Sequence, residues 1–443
     1  MKRSNFTALY FVNTLGMTTN AFSIVIGLNP ALQKRFILSD KTPSLIPGDV
    51  HRAASIQEGI GGKGQDVAVT LACLSSKTNG HHLNIHLAQL VGSGAEGDLA
   101  LSKLNQALTW NHHCNEKTSS KKLADKQREA EEIHLWKSLT VRTEARLRIC
   151  TTIVANDSAT ELVEPSGLIL KDEIMILKDK VEAISSSDIN VKGMCVMGSM
   201  PPGCEPNLYA DLYKGVKEKH PNMLTVIDTV VGLEHLFKEI ESLNRKTPSG
   251  GKSMLKINFA ELCRLATVKS SNLSSETSSA TMEQIQVALS GFFDTFSDAR
   301  GALDFIAITN GSHPAHLVSL QHPDEFSIFT VNVPDLSRFQ NDGPSKIYPI
   351  GAGDSVAGGT LAAWEYLHMA DTDNDGDEVR LDSSIRNALK KKRIGLRDED
   401  IAATSFAFGI SCGSASCIQE ENSVLTIRDA LELFNAIEVT LLH

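Results

Sequence analysis

The stretch that decides the fold is GAGDSVAGG, residues 351–359, where a single carboxylate stands among small residues just before an apolar run. Small residues let backbone N–H groups approach a ligand closely, and the N-terminus of a following helix favours negative charge. The residues from Ser355 to Trp364 are mostly Val, Ala, Gly and Leu, which predicts a helix packed in the core. Two interpretations of Asp354 are open: a helix cap, or a catalytic base beside an anion-binding turn.

Short apolar runs alternate with helical patterns along the chain. This alternation predicts an α/β fold, in which a mostly parallel sheet is covered by helices on both faces. The predicted strands are residues 23–28, 85–91, 193–197, 223–227 and 304–309, and the predicted helices lie near 63–75, 97–109, 206–219, 259–267 and 281–297.

Some segments do not follow this alternation. Residues 33–57 and 143–163 are rich in Thr, Val, Ile and Leu, and we expect them to pair as a small separate sheet. Residues 110–140 are highly charged, which predicts an inserted helix or loop with a solvated face. Residues 242–253 and 268–280 are rich in polar residues and glycine, which predicts surface loops.

Composition excludes several function classes. The chain has 443 residues and a formal net charge of −10, with no basic stripe, so nucleic acid is not expected as a partner. No apolar run approaches the roughly 18 residues that a membrane helix needs. Eight scattered cysteines without a CxxC pair predict reduced thiols, as in a cytoplasmic protein. Residues 1–22 are predicted to be a disordered extension or, alternatively, a targeting segment for an organelle.

Three further patterns each have a simpler alternative. Residues 59–64, GIGGKG, could bring backbone amides to a phosphate or polyhydroxy ligand, or could form only a turn before a helix. Residues 249–253 end like a phosphate-binding loop, but Lys246 replaces its first glycine. Residues 371–382 resemble a calcium-binding loop, but Glu378 and Asp382 depart from its pattern, which favours a solvated acidic loop.

Six motifs, taken in order, resemble those of the PfkB (ribokinase-like) carbohydrate kinases. The opening motifs are most similar to the branch that holds 1-phosphofructokinase and tagatose-6-phosphate kinase. The resemblance covers residues 23–437, with insertions near 110–140, 242–253, 268–280 and 370–400. The motifs are NPAL at 29–32, GGKG at 61–64, GSMPPG at 198–203, KINFAEL at 256–262, TNG at 309–311 and GAGD at 351–354.

This resemblance implies a Rossmann-like core with a small β-sheet lid, ATP and Mg²⁺ as co-substrates, and phosphoryl transfer to a sugar or sugar phosphate. A fructose phosphate is the foremost expected acceptor, and a homodimer through the lid is expected by analogy. Asp354 would be the base that takes the hydroxyl proton. The backbone N–H groups of Gly351, Ala352, Gly353 and Asp354 would form the anion hole for the transferred phosphoryl group.

On the nucleotide side, Asn258 and Glu261 match a family motif that organises Mg²⁺ and the phosphates, through water. The same two residues also have the spacing of a capping box at the start of a helix. Thr309 and Gly311 occupy positions close to the nucleotide phosphates in the family.

On the sugar side, the resemblance assigns contacts to Gln33, Gly61, Gly62, Lys63, Asp66, Arg146 and Ser199. Gln33 replaces an Asp of the family and Asp66 replaces an Asn. Arg146 falls at the lid arginine that meets a substrate phosphate, and its usual companions, Asn and Lys, are Arg148 and Cys150 here. Residues 348–350 replace polar residues that usually precede GAGD. These changes leave a noncatalytic sugar-binding or interaction module as an alternative, and a nucleoside kinase as another.

Overall fold

A computed structural model describes most of the chain. It has an α/β fold, as the sequence predicts. The N-terminal 20 residues lie outside the described part, as do the acidic residues 371–377 and most of the predicted insertions at 110–140 and 268–280. The assignment of those segments therefore stays a prediction. The described residues are 21–38, 45–75, 85–109, 139–155, 158–187, 190–248, 250–266, 280–321, 326–339, 347–369 and 381–442.

A ten-stranded sheet forms the centre of the molecule, in the order β14-β13-β12-β11-β10-β9-β8-β1-β4-β5. The strands from β5 to β11 run parallel, and β12, β13 and β14 extend the sheet in antiparallel fashion. The strands are β1 (Ala21–Ile26), β4 (Ile85–Gly92), β5 (Thr140–Thr143), β8 (Asn190–Met197), β9 (Leu224–Asp228), β10 (Ser253–Asn258), β11 (Phe305–Asn310), β12 (His313–Ser319), β13 (Ser327–Val331) and β14 (Val439–Leu441).

A separate four-stranded sheet forms a lid, which confirms that the two unusual segments pair with each other. Its order is β3-β2-β6-β7, with β2 and β6 parallel at the centre. One boundary differs: the second lid segment begins at Ile149 and not at residue 143, because Thr140–Thr143 instead pairs with β4 in the large sheet. The lid strands are β2 (Ala31–Leu38), β3 (Ala53–Gly61), β6 (Ile149–Ala155) and β7 (Ser158–Val163).

Helices cover both faces of the large sheet, and each face has its own hydrophobic cluster. The described helices are α1 (Lys63–Cys73), α2 (Ala95–Leu108), α3 (Lys171–Ser185), α4 (Leu208–Lys217), α5 (Leu233–Lys246), α6 (Phe259–Leu265), α7 (Met282–Thr295), α8 (Ala299–Ala302), α9 (Ala352–Met369), α10 (Ser383–Lys392), α11 (Asp398–Ser416) and α12 (Ile427–Ala436). None of them is long and apolar enough to cross a membrane.

Part of one predicted loop is helical. We expect residues 242–253 to form a surface loop, but α5 continues to Lys246, because Leu243 is buried in the core at 7% exposure. Asp382 caps α10 by accepting a hydrogen bond from Ser384 N at 2.8 Å, which gives that residue a structural role independent of any cation.

The position of the GAGDSVAGG stretch is fixed by close packing of α9 against α11. A Cβ on Gly359 would lie 3.1 Å from Gly409 Cα and 2.6 Å from Cys412 Sγ, so a side chain there would push the two helices apart. The N-terminus of α9 is therefore held at the carboxyl edge of the sheet, where ligands bind in open α/β folds.

Candidate active site

A cavity of about 330 Å³ lies between the carboxyl ends of the central strands and the lid. Gly27 follows β1, Gly198 follows β8 and Thr229 follows β9, and all three line it. The lid contributes Gln33, Cys150, Glu161 and Val163. Most of the sequence-predicted site residues line this cavity as well: Gly61, Gly62, Lys63, Asp66, Ser199, Glu261, Gly351 and Asp354.

Asp354 lies in the first turn of α9, is partly buried and lines the cavity. Loss of solvent raises the pKa of Asp354 to about 7, because the neighbouring ammonium groups of Lys63 and Lys256 offset only part of the desolvation. A carboxylate that titrates near neutral pH can accept a proton from a hydroxyl group. Helix-terminus position and catalysis are therefore compatible roles for this residue.

A buried ion network lies behind Asp354. Asp228 accepts from Lys63 Nζ at 2.5 Å and from Lys256 Nζ at 2.7 Å, and Glu261 Oε1 is 3.7 Å from Lys63 Nζ. Burial alone would raise the pKa of Asp228, but the two ammonium groups outweigh it and lower that pKa. Burial would lower the pKa of Lys63, but the nearby carboxylates raise it. Lys63 therefore carries positive charge beside the proposed base.

Sequence reasoning missed two members of this network. Lys256 belongs to a quoted motif without a role assigned to it, and Asp228 was not singled out. Its signal was nevertheless present, because Asp228 directly follows the apolar run 223–227 and thus ends a buried strand at the carboxyl edge of the sheet.

The backbone at the start of α9 has free donors. Ala352 N donates to Pro349 O at 3.1 Å, whereas the N–H groups of Gly353 and Asp354 have no partner among the described residues. A Cβ on Gly353 would lie 2.9 Å from Lys256 Nζ, so an ammonium group lies directly beside this turn. Of the four N–H groups that the resemblance assigns to an anion hole, that of Ala352 is engaged, and those of Gly351, Gly353 and Asp354 have no partner among the described residues.

Asn258 and Glu261 form the capping box that their spacing predicts. Glu261 N donates to Asn258 Oδ1 at 2.8 Å, and Asn258 N donates to Glu261 Oε2 at 3.3 Å. Thr309 lies beside Asn258 in the register of β10 and β11, while neither Thr309 nor Gly311 lines the cavity. In the described part of the chain, no three His, Cys, Asp or Glu residues cluster in a way that could hold a metal ion.

The side of the cavity that the resemblance assigns to the sugar holds a carboxyl group with one unpartnered oxygen. Asp66 is 4% exposed, and its Oδ1 has no hydrogen-bond partner in the described residues. Burial and the nearby carboxylate of Asp354 raise the pKa of Asp66 well above its usual range. Gln33 is also buried and donates to Thr152 Oγ1 at 2.6 Å. Both replacements relative to the family pattern thus lie in the same cavity.

Asn29 is a further residue that sequence reasoning quoted without a role. Its Nδ2 donates to Ser199 Oγ at 3.0 Å, and its Oδ1 accepts from Ser166 Oγ at 2.8 Å. These bonds orient Ser199 at the cavity wall.

The structure does not bring Arg146 to this cavity. Its side chain is 61% exposed and pairs with Glu96 at 3.2 Å, at the start of α2. Arg148 lines the cavity instead, and its Nη2 donates to Asn29 O at 2.8 Å. Of these two arginines, Arg148 is the one that lines the cavity.

Comparison with known proteins gave matches at the level of structure only. No family model matches the sequence, and no curated protein matches it. Phosphofructokinase-2 from Escherichia coli, solved with substrates and products, superposes with a TM-score of 0.57 at 17% identity, over 94% of this chain and 99% of that one. Ribokinase from Giardia lamblia gives a TM-score of 0.56 at 13% identity, over 93% and 99% of the two chains.

A protein from Thermotoga maritima described as a possible 1-phosphofructokinase gives a TM-score of 0.56 at 12% identity, over 95% of this chain and 100% of that one. At such identities the likeness establishes the fold. It agrees with the α/β core and the separate small sheet. This chain therefore has the ribokinase-like α/β fold of these phosphofructokinase and ribokinase structures.

Proposed function

We propose that this chain is an ATP-dependent kinase that transfers the γ-phosphoryl group to a hydroxyl of a sugar or sugar phosphate. The observation that carries the proposal is the placement of Asp354, a carboxylate whose pKa is about 7, beside backbone N–H groups without a partner in the described residues and beside the Lys256 ammonium. Phosphoryl transfer needs a base for the acceptor proton and stabilisation of charge on the transferred group, and this arrangement offers both.

In this mechanism, the acceptor hydroxyl lies in the cavity within reach of the Asp354 carboxylate, which takes its proton as the new O–P bond forms. The N–H groups of Gly353 and Asp354 face the transferred phosphoryl group, and Lys63 and Lys256 add positive charge. Asp228 holds both ammonium groups in place through two short hydrogen bonds. The lid excludes water from the acceptor, which limits hydrolysis of ATP.

The donor set near the nucleotide side fits a hydrated Mg²⁺. Such an ion usually keeps several waters and binds through one or two carboxylates together with substrate phosphates. Glu261 faces the cavity and Asn258 lies at the same helix start, so we assign these two residues to the Mg²⁺–phosphate group, through water. We assign Thr309 and Gly311 to the nucleotide phosphates. The ion would neutralise charge on the phosphates that approach Asp354.

We propose a fructose phosphate as the first acceptor to test. Phosphofructokinase-2 from Escherichia coli, 16% identical to this chain, has been solved in complex with fructose-6-phosphate. Lys63 and Arg148 are the cations of the cavity wall, against the four carboxylates of Asp66, Glu161, Glu261 and Asp354. Gln33, Gly61, Gly62 and Ser199 supply neutral polar contacts. This balance favours an acceptor with many hydroxyl groups and at most one phosphate.

A coupled kinase assay with ATP and Mg²⁺ tests the proposal over a panel of sugars, sugar phosphates and nucleosides. We expect ADP release to rise when a sugar or sugar phosphate is added. Turnover of nucleosides alone would instead identify a nucleoside kinase. Measurable binding of sugars without transfer across the whole panel would identify a noncatalytic sugar-binding module.

The homodimer through the lid remains a proposal. The outer lid strands β3 and β7 expose Ile56 and Leu162, each 57% accessible, and a second copy could cover these apolar side chains. Light scattering of the purified protein tests this, with Ile56→Glu expected to shift a dimer to monomers.

A further inference from the structure

Arg35 of the lid strand β2 reaches across to the loop that follows α11. Its Nη2 donates to Asn422 Oδ1 at 2.6 Å, and its Nη1 donates to the backbone O of Glu420. The guanidinium also lies over the ring of Tyr348, 5.2 Å from its centroid. Arg35 is only 4% exposed, and it does not line the main cavity. A lid residue is thus anchored to two segments of the core.

The same loop is bonded to the start of α9. Ser423 follows Asn422, and its Oγ donates to Gly351 O at 3.0 Å. Gly351 has φ +81°, and Ser423 has φ +57°, the one positive φ among non-glycine residues of the described chain. Backbone held in such a conformation is over-determined by its surroundings, and it is concentrated at functional sites. Tyr348, under Arg35, lies three residues before Gly351.

Arg35 also has a direct relation to the sugar side. Gln33 lies two positions earlier on β2, so both side chains point to the same face of the strand, and both are buried. The positive charge of Arg35 lowers the pKa of Asp66, against the burial that raises it. One strand therefore carries a group that lines the sugar cavity and a group that holds the turn beside Asp354.

We propose that Arg35 is a positioning residue that couples the lid strand over the acceptor to the geometry of the catalytic turn. The inference rests on the kinase function proposed above. The path runs from Gln33 and Arg35, through Asn422 and Ser423, to Gly351. When the lid strand is in place, the guanidinium fork holds the loop, and the loop holds the carbonyl of Gly351, so that the N–H groups of Gly353 and Asp354 face the cavity. A guanidinium suits this role because it has several donors in a fixed plane, which an ammonium lacks.

The test compares Arg35→Met and Arg35→Lys with Lys34→Met. Lys34 is the neighbour of Arg35 on β2, is partly exposed, and pairs with Glu58 of the lid rather than with the core. We expect Arg35→Met to lower kcat by about 10- to 100-fold, the range that misplacement of a reacting group produces, and to raise KM for the acceptor. KM for ATP should stay within about twofold, since the nucleotide residues do not touch this path. Arg35→Lys should recover only part of kcat, and Lys34→Met should behave as the parent.

A double-mutant cycle with Ser423→Gly tests the path itself. Glycine keeps the positive φ and removes the hydroxyl, which is a hydrogen-bond partner of the Asp66 carboxyl as well as the donor to Gly351 O. If both residues act through that bond, the double variant loses little more kcat than either single variant. Multiplied effects on kcat, or an Arg35→Met variant with unchanged kcat, would overturn the coupling. If Arg35→Met does not fold, Arg35→Lys and Ser423→Gly provide the same cycle.

Amide hydrogen exchange provides a readout that needs no acceptor. Peptides that span residues 347–356 should exchange faster in Arg35→Met and Ser423→Gly than in the parent. In Lys34→Met, these peptides should exchange at the same rate as in the parent. If the parent phosphorylates no member of the panel, the proposed function fails, while exchange still decides the coupling. Equal exchange in all four proteins would overturn the coupling even if the kinase activity is present.

Discussion

The two ends of the cavity differ in how completely their charges are paired. At the phosphoryl-transfer end, Asp228 is bonded to both Lys63 and Lys256, and every ammonium has a carboxylate partner. At the sugar end, Asp66 is buried with one oxygen unpartnered, and Arg146 lies outside the cavity. The difference shows that the ion pairs at one end form without a ligand, while the other end leaves a buried polar atom that the described residues do not satisfy.

The largest expected effect is at the proposed base. We expect Asp354→Asn to lower kcat by about 10²- to 10⁴-fold, the usual contribution of a general base, with a much smaller change in KM. Asp211→Asn is a matched control, because Asp211 lies on the surface of α4 and pairs with Lys178. Steady-state kinetics with the best acceptor measure kcat and KM of the two variants. Equal kcat in the parent and Asp354→Asn would contradict the mechanism.

Stability and kcat should both fall when either charge of the buried Asp228–Lys256 pair is removed. Lys256→Met removes one of the two partners of Asp228, and both residues are almost completely buried. Breaking a buried ion pair costs about 3–5 kcal/mol, so we expect a large loss of stability in chemical denaturation as well as reduced kcat. Lys252→Met, at a partly exposed ion pair in the same segment, should cost far less. Similar losses for the two variants would show that the buried network has no special role.

The pH dependence should report the same carboxylate. Because Asp354 must be ionised to accept a proton and its pKa is about 7, kcat/KM should rise about tenfold per pH unit below 7 and level off above it. The effect of rising pH on the free energy of unfolding has the opposite sign. The folded state holds a proton that the unfolded state has lost between about pH 4 and 7, so Asp354 makes unfolding easier as pH rises through that window. Asp354→Asn should remove this component from denaturation curves measured at several pH values.

The unpaired end should respond to Asp66 through selectivity. Above the raised pKa of Asp66, Asp66→Asn removes a negative charge, and at any pH it restores the amide of the family pattern. We expect KM for a sugar phosphate to fall by roughly three- to tenfold relative to the unphosphorylated sugar, as about 1 kcal/mol of charge repulsion would give. The ratio of the two KM values is the measurement. An unchanged ratio of the two KM values would show that Asp66 does not take part in recognition of the acceptor phosphate.

The smallest effect is expected at Arg146. Its exposed pair with Glu96 should contribute little, so Arg146→Met should change acceptor KM by less than about twofold. Arg148→Met should raise KM for a phosphorylated acceptor by about tenfold, because Arg148 lines the cavity. A larger effect at Arg146 than at Arg148 would reverse the assignment of the lid arginine.

The sequence by itself determined the fold class, the position of Asp354 and the capping box of Asn258 and Glu261. These features depend on local patterns: apolar runs mark the buried strands, and glycine-rich turns mark the helix starts at the edge of the sheet. The pairing of the two lid segments also followed from composition, because both stood outside the alternation of strands and helices.

Only the tertiary structure decided which distant charges meet. Asp228 and Lys256 end up beside Lys63 because β9, β10 and the start of α1 come together at one edge, and nothing local in the sequence records that distance. The choice between Arg146 and Arg148 depended on Glu96, some fifty residues away, and the link from Arg35 to Gly351 runs through a loop near the end of the chain. Local patterns specify backbone conformation, whereas side-chain pairs between remote segments exist only once the chain has folded.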